Sequence, residues 1–371
     1  MSAGPRVTIL MPVFNGQRYV DEAIASVVGQ GFDDFEFVII DDGSIDDTPS
    51  ILAAWAQRDA RILVHRSPRN EGISAALNRG LAFARGEYVV RQDADDLCLA
   101  GRIAKQVAVL DADSSVVLVS AGYELIGSDG RSRGLRMRLG PPPVIEYLMN
   151  FSNAVGGHGQ VMFRRATVLG LGNYRLEFEF SQDYDLWSRL MRHGQVVVLP
   201  IVGMRHRLHD KRVSIVAGQQ QMSRSLSISR RNLTALLGHE PDDDEFAAMS
   251  AVWRQTDRRG SAAAAHRLFR EAYAHFKSTN ANREHRRHVR LAKAHAWFLS
   301  AAMCAKRGHM LDAIAHLGYS LLWHPAGFAT GAIAVAGRLA RRTGGVLAPL
   351  IRLRHLLPSP RGEGYKARLP M

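Results

Sequence analysis

The first 120 residues alternate short apolar segments of strand length with amphipathic segments of helical spacing. Strands are predicted at Val7–Met11, Phe35–Ile40, Ile62–His65, Tyr88–Arg91 and Val116–Ser120, and helices at Tyr19–Val28, Thr48–Arg58, Ile73–Ala84 and Gly101–Leu110. Such alternation is typical of a mostly parallel sheet with helices on both faces. We therefore expect an α/β, Rossmann-like fold for this part of the chain.

The rest of the chain changes character twice. Residues 121–150 are rich in Gly, Arg and Pro, and we interpret them as an excursion and a connection. Residues 155–210 return to mixed strand and helix. From about residue 215 the pattern is helical and rich in Ala, Arg and His. We expect a catalytic domain at 1–215 and a helical, basic C-terminal extension at 216–371.

The formal net charge is +13, and the basic clusters lie mainly in the second half of the chain. Such a surface attracts phosphorylated substrates, anionic lipid or nucleic acid. Because no helix-turn-helix, zinc-finger or RNA-recognition pattern is present, we expect no nucleic-acid partner. The cysteines, Cys98 and Cys304, lack metal-ligand spacing and suit a reducing compartment. With no signal peptide or membrane-spanning segment visible, we expect a cytoplasmic protein.

Three carboxylates, Asp93, Asp95 and Asp96, follow directly on the strand at Tyr88–Arg91. Their charges repel one another unless a cation lies among them. Open α/β sheets bind ligands at the carboxyl ends of their strands, where an Asp-x-Asp pair can hold a divalent metal and the metal a diphosphate. A solvated acidic turn before a helix is the alternative, because Asp is favoured near helix N-termini.

A second acidic cluster follows the strand at Phe35–Ile40, with four acids in seven residues: Asp41, Asp42, Asp46 and Asp47. An acid at a strand end, next to a glycine, can accept hydrogen bonds from a nucleobase or a ribose hydroxyl. A turn with a helix cap accounts for part of this cluster but not for all four acids. The preceding turn lacks the Gly-rich dinucleotide fingerprint, and no P-loop occurs. A metal at the Asp-x-Asp pair is therefore the better candidate for neutralising a diphosphate.

A third cluster contains Asp183 and Asp185 at the start of a predicted helix. Asp183 is a candidate general base that would deprotonate a sugar hydroxyl. Charging of the helix N-terminus accounts for one of the two acids. We interpret Asp185 as holding the helix start or binding partners, and Trp187 as a core residue.

Three histidines are further candidates. His158 stands between glycines before a predicted strand, and the alternative is a satisfied structural histidine. His206 and His209 follow a strand that ends near Pro200. With their neighbouring arginines they could meet a diphosphate or a metal, and a solvated basic loop accounts for them equally well.

Together these motifs resemble the inverting family 2 glycosyltransferases of the GT-A fold over about residues 5–215. The resemblance rests on six segments in order: Val7–Asn15, Ser26–Gln30, Asp41–Thr48, Asn70–Asn78, Asp93–Asp96 and Gln182–Trp187. Departures from the family pattern include Ala100 in place of a proline and Gln182 in place of an acid.

The resemblance implies transfer of a sugar from a nucleotide-diphosphate sugar to a hydroxyl of a glycan or lipid-linked acceptor, in cell-surface polysaccharide or glycolipid synthesis. Asp41 and Asp42 would bind the base and the ribose. Pro12 and Phe14 would line the base pocket.

The same resemblance implies the roles of the remaining acids. Asp93 and Asp95 would organise Mg²⁺ or Mn²⁺ with the diphosphate, with Asp95 as the direct ligand. Asp183 would be the general base of an inverting displacement.

Two other readings of the chain stay open at this point. A nucleotidyltransferase also uses an α/β sheet and an acidic metal site, although Pro12–Gly16 lacks the Gly-rich, basic loop it needs. A non-catalytic protein could instead hold a structural cation.

The segment Arg338–Arg354 mixes cations with Leu, Val and Ile. It fits an anionic membrane surface at the inner face of the membrane, or else a helical cap or oligomer contact.

Overall fold

The structure is a computed structural model that describes residues 4–137, 140–208, 218–255 and 261–325. Contacts within the chain divide it into two compact units, Met1–Glu240 and Pro241–Met371. The segment Arg338–Arg354 and the residue His209 lie outside the described residues.

The first unit is built on a sheet of nine strands among its described residues. They are β1 (Val7–Val13), β2 (Phe35–Asp41), β3 (Ile62–Arg66), β4 (Tyr88–Arg91), β5 (Leu97–Cys98), β6 (Val116–Gly127), β7 (Ser132–Arg136), β8 (Met162–Arg164) and β9 (Gln195–Leu208). Their spatial order is β3-β2-β1-β4-β8-β6-β9-β5, with β7 paired to β6. The neighbours β3, β2, β1 and β4 pair in parallel, and so do β6 and β9. The other pairs are antiparallel.

Helices cover both faces of this sheet. They are α1 (Val20–Val28), α2 (Thr48–Arg58), α3 (Ile73–Phe83), α4 (Arg102–Ala112), α5 (Pro142–Leu148), α6 (Arg165–Gly170), α7 (Gln182–Leu190) and α8 (Gly218–Leu237). Successive strand residues point to opposite faces. Ile9 and Met11 therefore pack in one core with α1 and α4, and Leu10 packs in the other with α3 and α7.

The α/β prediction is confirmed, and the predicted strands and helices of the first 120 residues are all present. In the segment 121–150, strand β6 continues to Gly127 and pairs with β7, so the first half extends the sheet as a hairpin. The second half is a connection that contains the short helix α5. The expected end of the later strand near Pro200 was wrong. Strand β9 does not end near Pro200 but runs on to Leu208, because residues 202–208 keep pairing with β6.

The helix α8 follows the predicted boundary at 215 and belongs to the first unit. Its Arg231 donates to Asp185 of α7 at 2.6 Å, and its Asn232 donates to Ser188 at 2.9 Å. By its contacts the first unit therefore extends to Glu240, while the division of roles between 1–215 and 216–371 stays a prediction.

The second unit is helical in its described part, with α9 (Asp243–Arg254), α10 (Ala262–Thr279), α11 (Arg283–Lys306) and α12 (Met310–Trp323). The side chains of Asp242, Ser261 and Asn282 cap three of these helices by accepting backbone N–H bonds. Lys293 is fully buried and donates to the Phe269 carbonyl. Among the described residues, no helix combines the length and apolar character needed to cross a membrane.

Candidate active site

The carboxyl ends of β1, β2 and β4 meet at one edge of the sheet, because the three strands are parallel neighbours. Val13 pairs with Asp41, and Leu10 pairs with Arg91. The residues that follow these strands therefore lie side by side. The topology brings together the two acidic clusters that the sequence predicted as parts of one site.

Pro12 and Phe14 mark the end of β1. Pro12 is half-buried, whereas Phe14 exposes 46% of its surface although its flanking residue Val13 is buried. The following Asn15 adopts a left-handed conformation, with a φ of 51°. Its backbone N–H donates to Ser44 Oγ at 2.9 Å, and its Oδ1 accepts from Ile45 N–H at 3.0 Å. The loops after β1 and β2 are thus joined, with an aromatic face left accessible beside them.

Asp41 is buried at the end of β2 and pairs with an arginine that the sequence did not single out. Its Oδ1 accepts from Ser44 N–H at 2.9 Å, and its Oδ2 lies 3.3 Å from Arg66 Nε. Arg66 also donates to the Ser44 carbonyl at 2.8 Å and remains more than half exposed. The guanidinium is accordingly both anchored and accessible to an anionic ligand.

Asp42 is buried and holds the loop before α3. Its carboxylate accepts from Glu71 N–H at 3.1 Å and from Gly72 N–H at 3.0 Å. Gly43 has a φ of +79°, and a Cβ there would lie 2.6 Å from the Arg69 carbonyl carbon. These contacts explain physically why an Asp-Gly turn and the Asn-Glu-Gly segment occur together in this chain.

Asp93 lies at the end of β4 beside a buried arginine. Arg91 has no exposed side-chain surface and donates to Asp93 Oδ1 at 2.6 Å. It also donates to the carbonyl of Leu10 at 2.9 Å, which ties the end of β4 to β1. A Cβ on Gly159 would approach Asp93 Oδ2 to 2.9 Å. The Arg91 guanidinium therefore holds one oxygen of Asp93, and the other oxygen lies close to Gly159.

The three acids after β4 occupy different environments. Asp96 is fully buried, where it accepts from His206 Nδ1 at 2.7 Å and from Arg207 N–H at 2.8 Å. Burial raises the pKa of Asp96 to about 6, and its hydrogen bond to His206 opposes that rise. Asp95 is half-buried, and its carbonyl accepts from Arg207 Nε at 3.1 Å. Asp96 is thus bound within the fold, while the Asp93 and Asp95 side chains remain partly accessible.

His206 has a structural partner in this arrangement. The sequence left two interpretations open, contact with a diphosphate or a metal and a solvated basic loop. His206 instead lies on β9 and bonds to Asp96. Arg207 continues the same connection, since it stacks 4.6 Å from the Tyr19 ring and pairs with Glu22 at 2.7 Å. The end of β9 therefore links the acidic loop to α1.

Asp183 lies in the first turn of α7 and is half-buried as a whole residue. Its Oδ1 accepts from the N–H of Tyr184 at 2.7 Å, and its Oδ2 accepts from Asn153 Nδ2 at 3.1 Å. Burial, together with the negative charge of Asp93, raises the pKa of Asp183 to about 6, although the hydrogen bond from Tyr184 N–H opposes the rise. A carboxylate with such a pKa can accept a proton near neutral pH.

Asp185 has a different role from Asp183 although it lies two residues away. Its side chain is fully buried and pairs with Arg189 Nε at 2.9 Å and with Arg231 Nη1 at 2.6 Å. These contacts join α7 to α8. Asp185 is a structural anchor of the first unit, in keeping with its interpretation as a residue that holds the helix.

His158 is buried close to Asp93 and Arg91. It packs edge-on against Tyr174 and Trp187, with ring centroids 5.3 Å and 5.7 Å away. Burial, together with the positive charge of the nearby Arg91, lowers its pKa to about 3. The imidazole is therefore neutral at physiological pH. Trp187 is fully buried, which confirms its prediction as a core residue.

A cavity of about 140 Å³ opens beside Asn153. Its lining includes Tyr123, Arg136, Gly156 and Gln160, which come from β6, β7 and the segment before β8. Asn153 thus contacts both the cavity and Asp183. Val198 of β9 completes the lining. No local pattern predicts this cavity, because its lining combines four separate segments whose proximity depends on the pairing of distant strands.

The donor atoms present at the strand ends suit a hard divalent cation. Across the described residues, no three histidine, cysteine or acidic side chains group into a ready-made metal site. Asp93 and Asp95 nevertheless offer partly accessible carboxylates within three residues. Mg²⁺ is commonly held by one or two carboxylates together with substrate phosphates and water. The donor set fits an ion of this kind that a diphosphate helps to bind.

Sequence comparison places the chain among known enzymes. Residues 8–169 match the family described as Glycosyl transferase family 2. A glycosyltransferase of Haemophilus influenzae, itself uncharacterized, is 28% identical over 63% of this chain and 75% of its own length. The putative glycosyltransferase EpsE of Bacillus subtilis is 32% identical over 52% of this chain and 69% of its own length. This chain belongs to glycosyltransferase family 2.

The family assignment confirms the resemblance drawn from the six motifs, and the chain is a glycosyltransferase. The amylovoran biosynthesis glycosyltransferase AmsE of Erwinia amylovora is also similar, at 27% identity over 61% of this chain and 85% of that protein. Among solved structures, S. aureus TarS 1-349 shares the fold with a TM-score of 0.51 at 16% identity, over 86% of this chain and 92% of that one. The family assignment supports neither the nucleotidyltransferase nor the non-catalytic alternative.

Proposed function

We propose that this family 2 glycosyltransferase transfers a sugar from a nucleotide-diphosphate sugar to an acceptor hydroxyl, with inversion at the anomeric carbon and with help from Mg²⁺ or Mn²⁺. The observation that supports this most directly is the placement of Asp183 near Asp93 at the carboxyl edge of the sheet. The Asp93 carboxylate is partly accessible and pairs with the Arg91 guanidinium, and the Asp183 carboxyl has a pKa raised to about 6.

The donor would lie across the ends of β1, β2 and β4. The accessible ring of Phe14 beside Pro12 suits stacking on a nucleobase. Asp41 and Asp42 are the proposed residues for the base and the ribose. Since both are engaged with protein donors, we expect them to act in part by holding the loops that contact the nucleoside.

Asp93 and Asp95 are the proposed residues for the metal, with Asp95 as the direct ligand. When bound, Mg²⁺ or Mn²⁺ would supply Lewis-acid stabilisation of the leaving diphosphate. Arg91 holds Asp93 through one oxygen. This contact limits the directions in which the Asp93 carboxylate can turn.

Asp183 would act as the general base. It accepts the proton of the acceptor hydroxyl as the hydroxyl oxygen forms a bond to the anomeric carbon. The bond from that carbon to the phosphate oxygen breaks, and the nucleoside diphosphate leaves with the electron pair. A single displacement of this kind inverts the anomeric centre. The hydrogen bond from Asn153 would keep the carboxylate turned toward the acceptor.

The acceptor would approach from the side of the cavity next to Asn153, where Tyr123 and Arg136 offer a ring and a cation. We propose a glycan or lipid-linked acceptor in cell-surface polysaccharide or glycolipid synthesis. The name of AmsE, a protein of amylovoran biosynthesis, supports this choice. We further propose that the protein is cytoplasmic and contacts the inner face of the membrane through its basic C-terminal region.

Thermal-shift measurements with UDP, GDP, CDP and dTDP, each with and without Mn²⁺, test the donor site. Stabilisation by one diphosphate that requires the metal and disappears in Asp95→Ala is the expected result. Turnover of the matching donor sugar should then be lost in Asp183→Asn while donor binding is retained. Loss of binding together with turnover would contradict the proposed role of Asp183 as a base.

A further inference from the structure

The helix α12 carries several large apolar side chains on the outside of the second unit. Five of them are strongly exposed, and their exposed fractions are 57% for Met310, 84% for Leu311, 62% for Ile314, 47% for Leu321 and 65% for Leu322. Exposed leucines occur singly on most protein surfaces. Five large apolar side chains on one helix of 14 residues form a continuous surface instead.

The helical geometry makes this surface a single stripe. At about 100° per residue, these five side chains lie with Ala315 and Gly318 inside an arc of about 140°. No polar side chain of α12 falls in that arc. The buried positions are Ala313, His316, Ser320 and Trp323. An ordinary surface helix turns its apolar side to the core, so α12 has the reverse orientation.

In the sequence, basic residues occur on both sides of α12. Lys306 and Arg307 are exposed just before α12 begins. The segment 326–371, which follows the helix in sequence, holds eight lysines and arginines against one acid, Glu363. Apolar side chains flanked by cations are the combination that binds the surface of an anionic bilayer.

We propose that the apolar stripe of α12 inserts into the interfacial layer of an anionic membrane, with the helix lying in the membrane plane. A helix of 14 residues is about 21 Å long, too short to span a hydrocarbon layer of about 30 Å. A second copy of the chain is a poorer occupant, because each copy carries a net charge of +13 and the two would repel.

This inference gives the membrane contact proposed above a defined surface, and it does not depend on the reaction. The test uses the full chain in flotation assays with two kinds of vesicle. One kind contains phosphatidylcholine alone, and the other also contains phosphatidylglycerol. The wild-type chain should float with the anionic vesicles, and the combined variant L311Q, I314Q and L322Q should bind them at least about tenfold more weakly.

The matched control replaces two exposed leucines of the first unit, L169Q with L176Q, and should leave vesicle binding unchanged. A gain-of-binding variant, L322W, should tighten binding, because tryptophan favours the membrane interface. Thermal unfolding and nucleoside diphosphate release, measured on every variant without vesicles, should match the wild type.

Two results would overturn the inference while leaving the glycosyltransferase proposal intact. If the wild type binds anionic vesicles and the triple variant binds them equally well, the contact lies elsewhere, for example in the basic segment alone. If the triple variant instead changes the oligomeric state in light scattering, or loses thermal stability, the stripe is covered by protein. Absence of any wild-type binding to vesicles would overturn both this inference and the proposed membrane contact.

Discussion

Asn153 donates a hydrogen bond from its Nδ2 to Oδ2 of Asp183, at 3.1 Å. The amide is itself held, because Nδ2 also donates to the Gly156 carbonyl and Oδ1 accepts from the N–H groups of Val155 and Gly156. A rigid loop therefore orients the proposed base. The residue lies 30 positions from Asp183 in sequence, and no motif drew attention to it.

Replacing Asn153 by alanine should lower kcat by roughly 10- to 100-fold, since a hydrogen bond to a charged group contributes about 1.5–3 kcal/mol. The pKa of Asp183, which governs the acid limb of the rate profile, should rise. The Asn153 hydrogen bond stabilises the ionised carboxylate, and the variant lacks this bond. Steady-state kinetics across pH check both effects. Asn150→Ala, which removes amide bonds to the carbonyls of Glu146 and Tyr147, is the matched control. An unchanged profile in Asn153→Ala would argue against the positioning role.

Activity should fall as the pH drops below about 6. Asp183 must be ionised to accept a proton, and burial raises its pKa to about 6. The value of kcat/KM should therefore rise with pH up to this point and then level off. A cation bound near Asp93 would favour the ionised form and move the limb to lower pH. A profile that is flat from pH 5 to pH 8 in the presence and absence of metal would contradict the assignment.

The two acids of α7 should respond oppositely to conversion to amides. Asp185→Asn breaks a buried contact with Arg189 and Arg231 and should lower the free energy of unfolding by about 3 kcal/mol. The pKa of Asp183 is about 6 in the folded chain and about 4 when unfolded. The free energy of unfolding therefore falls as the pH rises from about 4 to about 6, because the buried carboxyl must ionise. Asp183→Asn removes that loss and should leave Tm at pH 7 unchanged or higher. Calorimetry of both variants checks the contrast, and equal destabilisation would contradict it.

Asp95→Asn should abolish the metal-dependent part of nucleotide binding. An amide keeps the shape of the side chain but lacks the charge that a divalent cation requires. Titration calorimetry with the nucleoside diphosphate, with and without Mn²⁺, measures the difference. Asp47→Asn is the control, because Asp47 is an exposed acid at the start of α2. If both variants keep a metal-dependent affinity, the metal is bound elsewhere.

Gly159→Ala should damage the site through Asp93. The added Cβ would lie 2.9 Å from Asp93 Oδ2 and 2.9 Å from Met204 Cε. We expect Asp93 to be displaced and KM for the donor to rise about tenfold, with a modest loss of stability. Gly170→Ala is the comparison, since a Cβ there meets no atom within 4 Å. Donor kinetics that are equal in the two variants would show that the close approach has no functional consequence.

Sequence alone determined the alternation of strands and helices and the position of the acids at strand ends, because periodicity and turn residues are local properties. Phe35–Asp41 and Tyr88–Arg91 are nearly continuous apolar segments, as strands buried on both faces must be. The ordered motifs also determined the family, which the comparison with known proteins confirmed.

Tertiary structure decided which acids are accessible and which are bound within the fold. Asp96 and Asp185 look like their neighbours Asp95 and Asp183 in sequence. They differ because His206 and Arg231, more than 40 residues away, reach them in space. Burial and charge pairing set the free energy of each carboxylate, and both depend on contacts between distant segments. A local pattern therefore locates the acids, while only the folded chain assigns their chemistry.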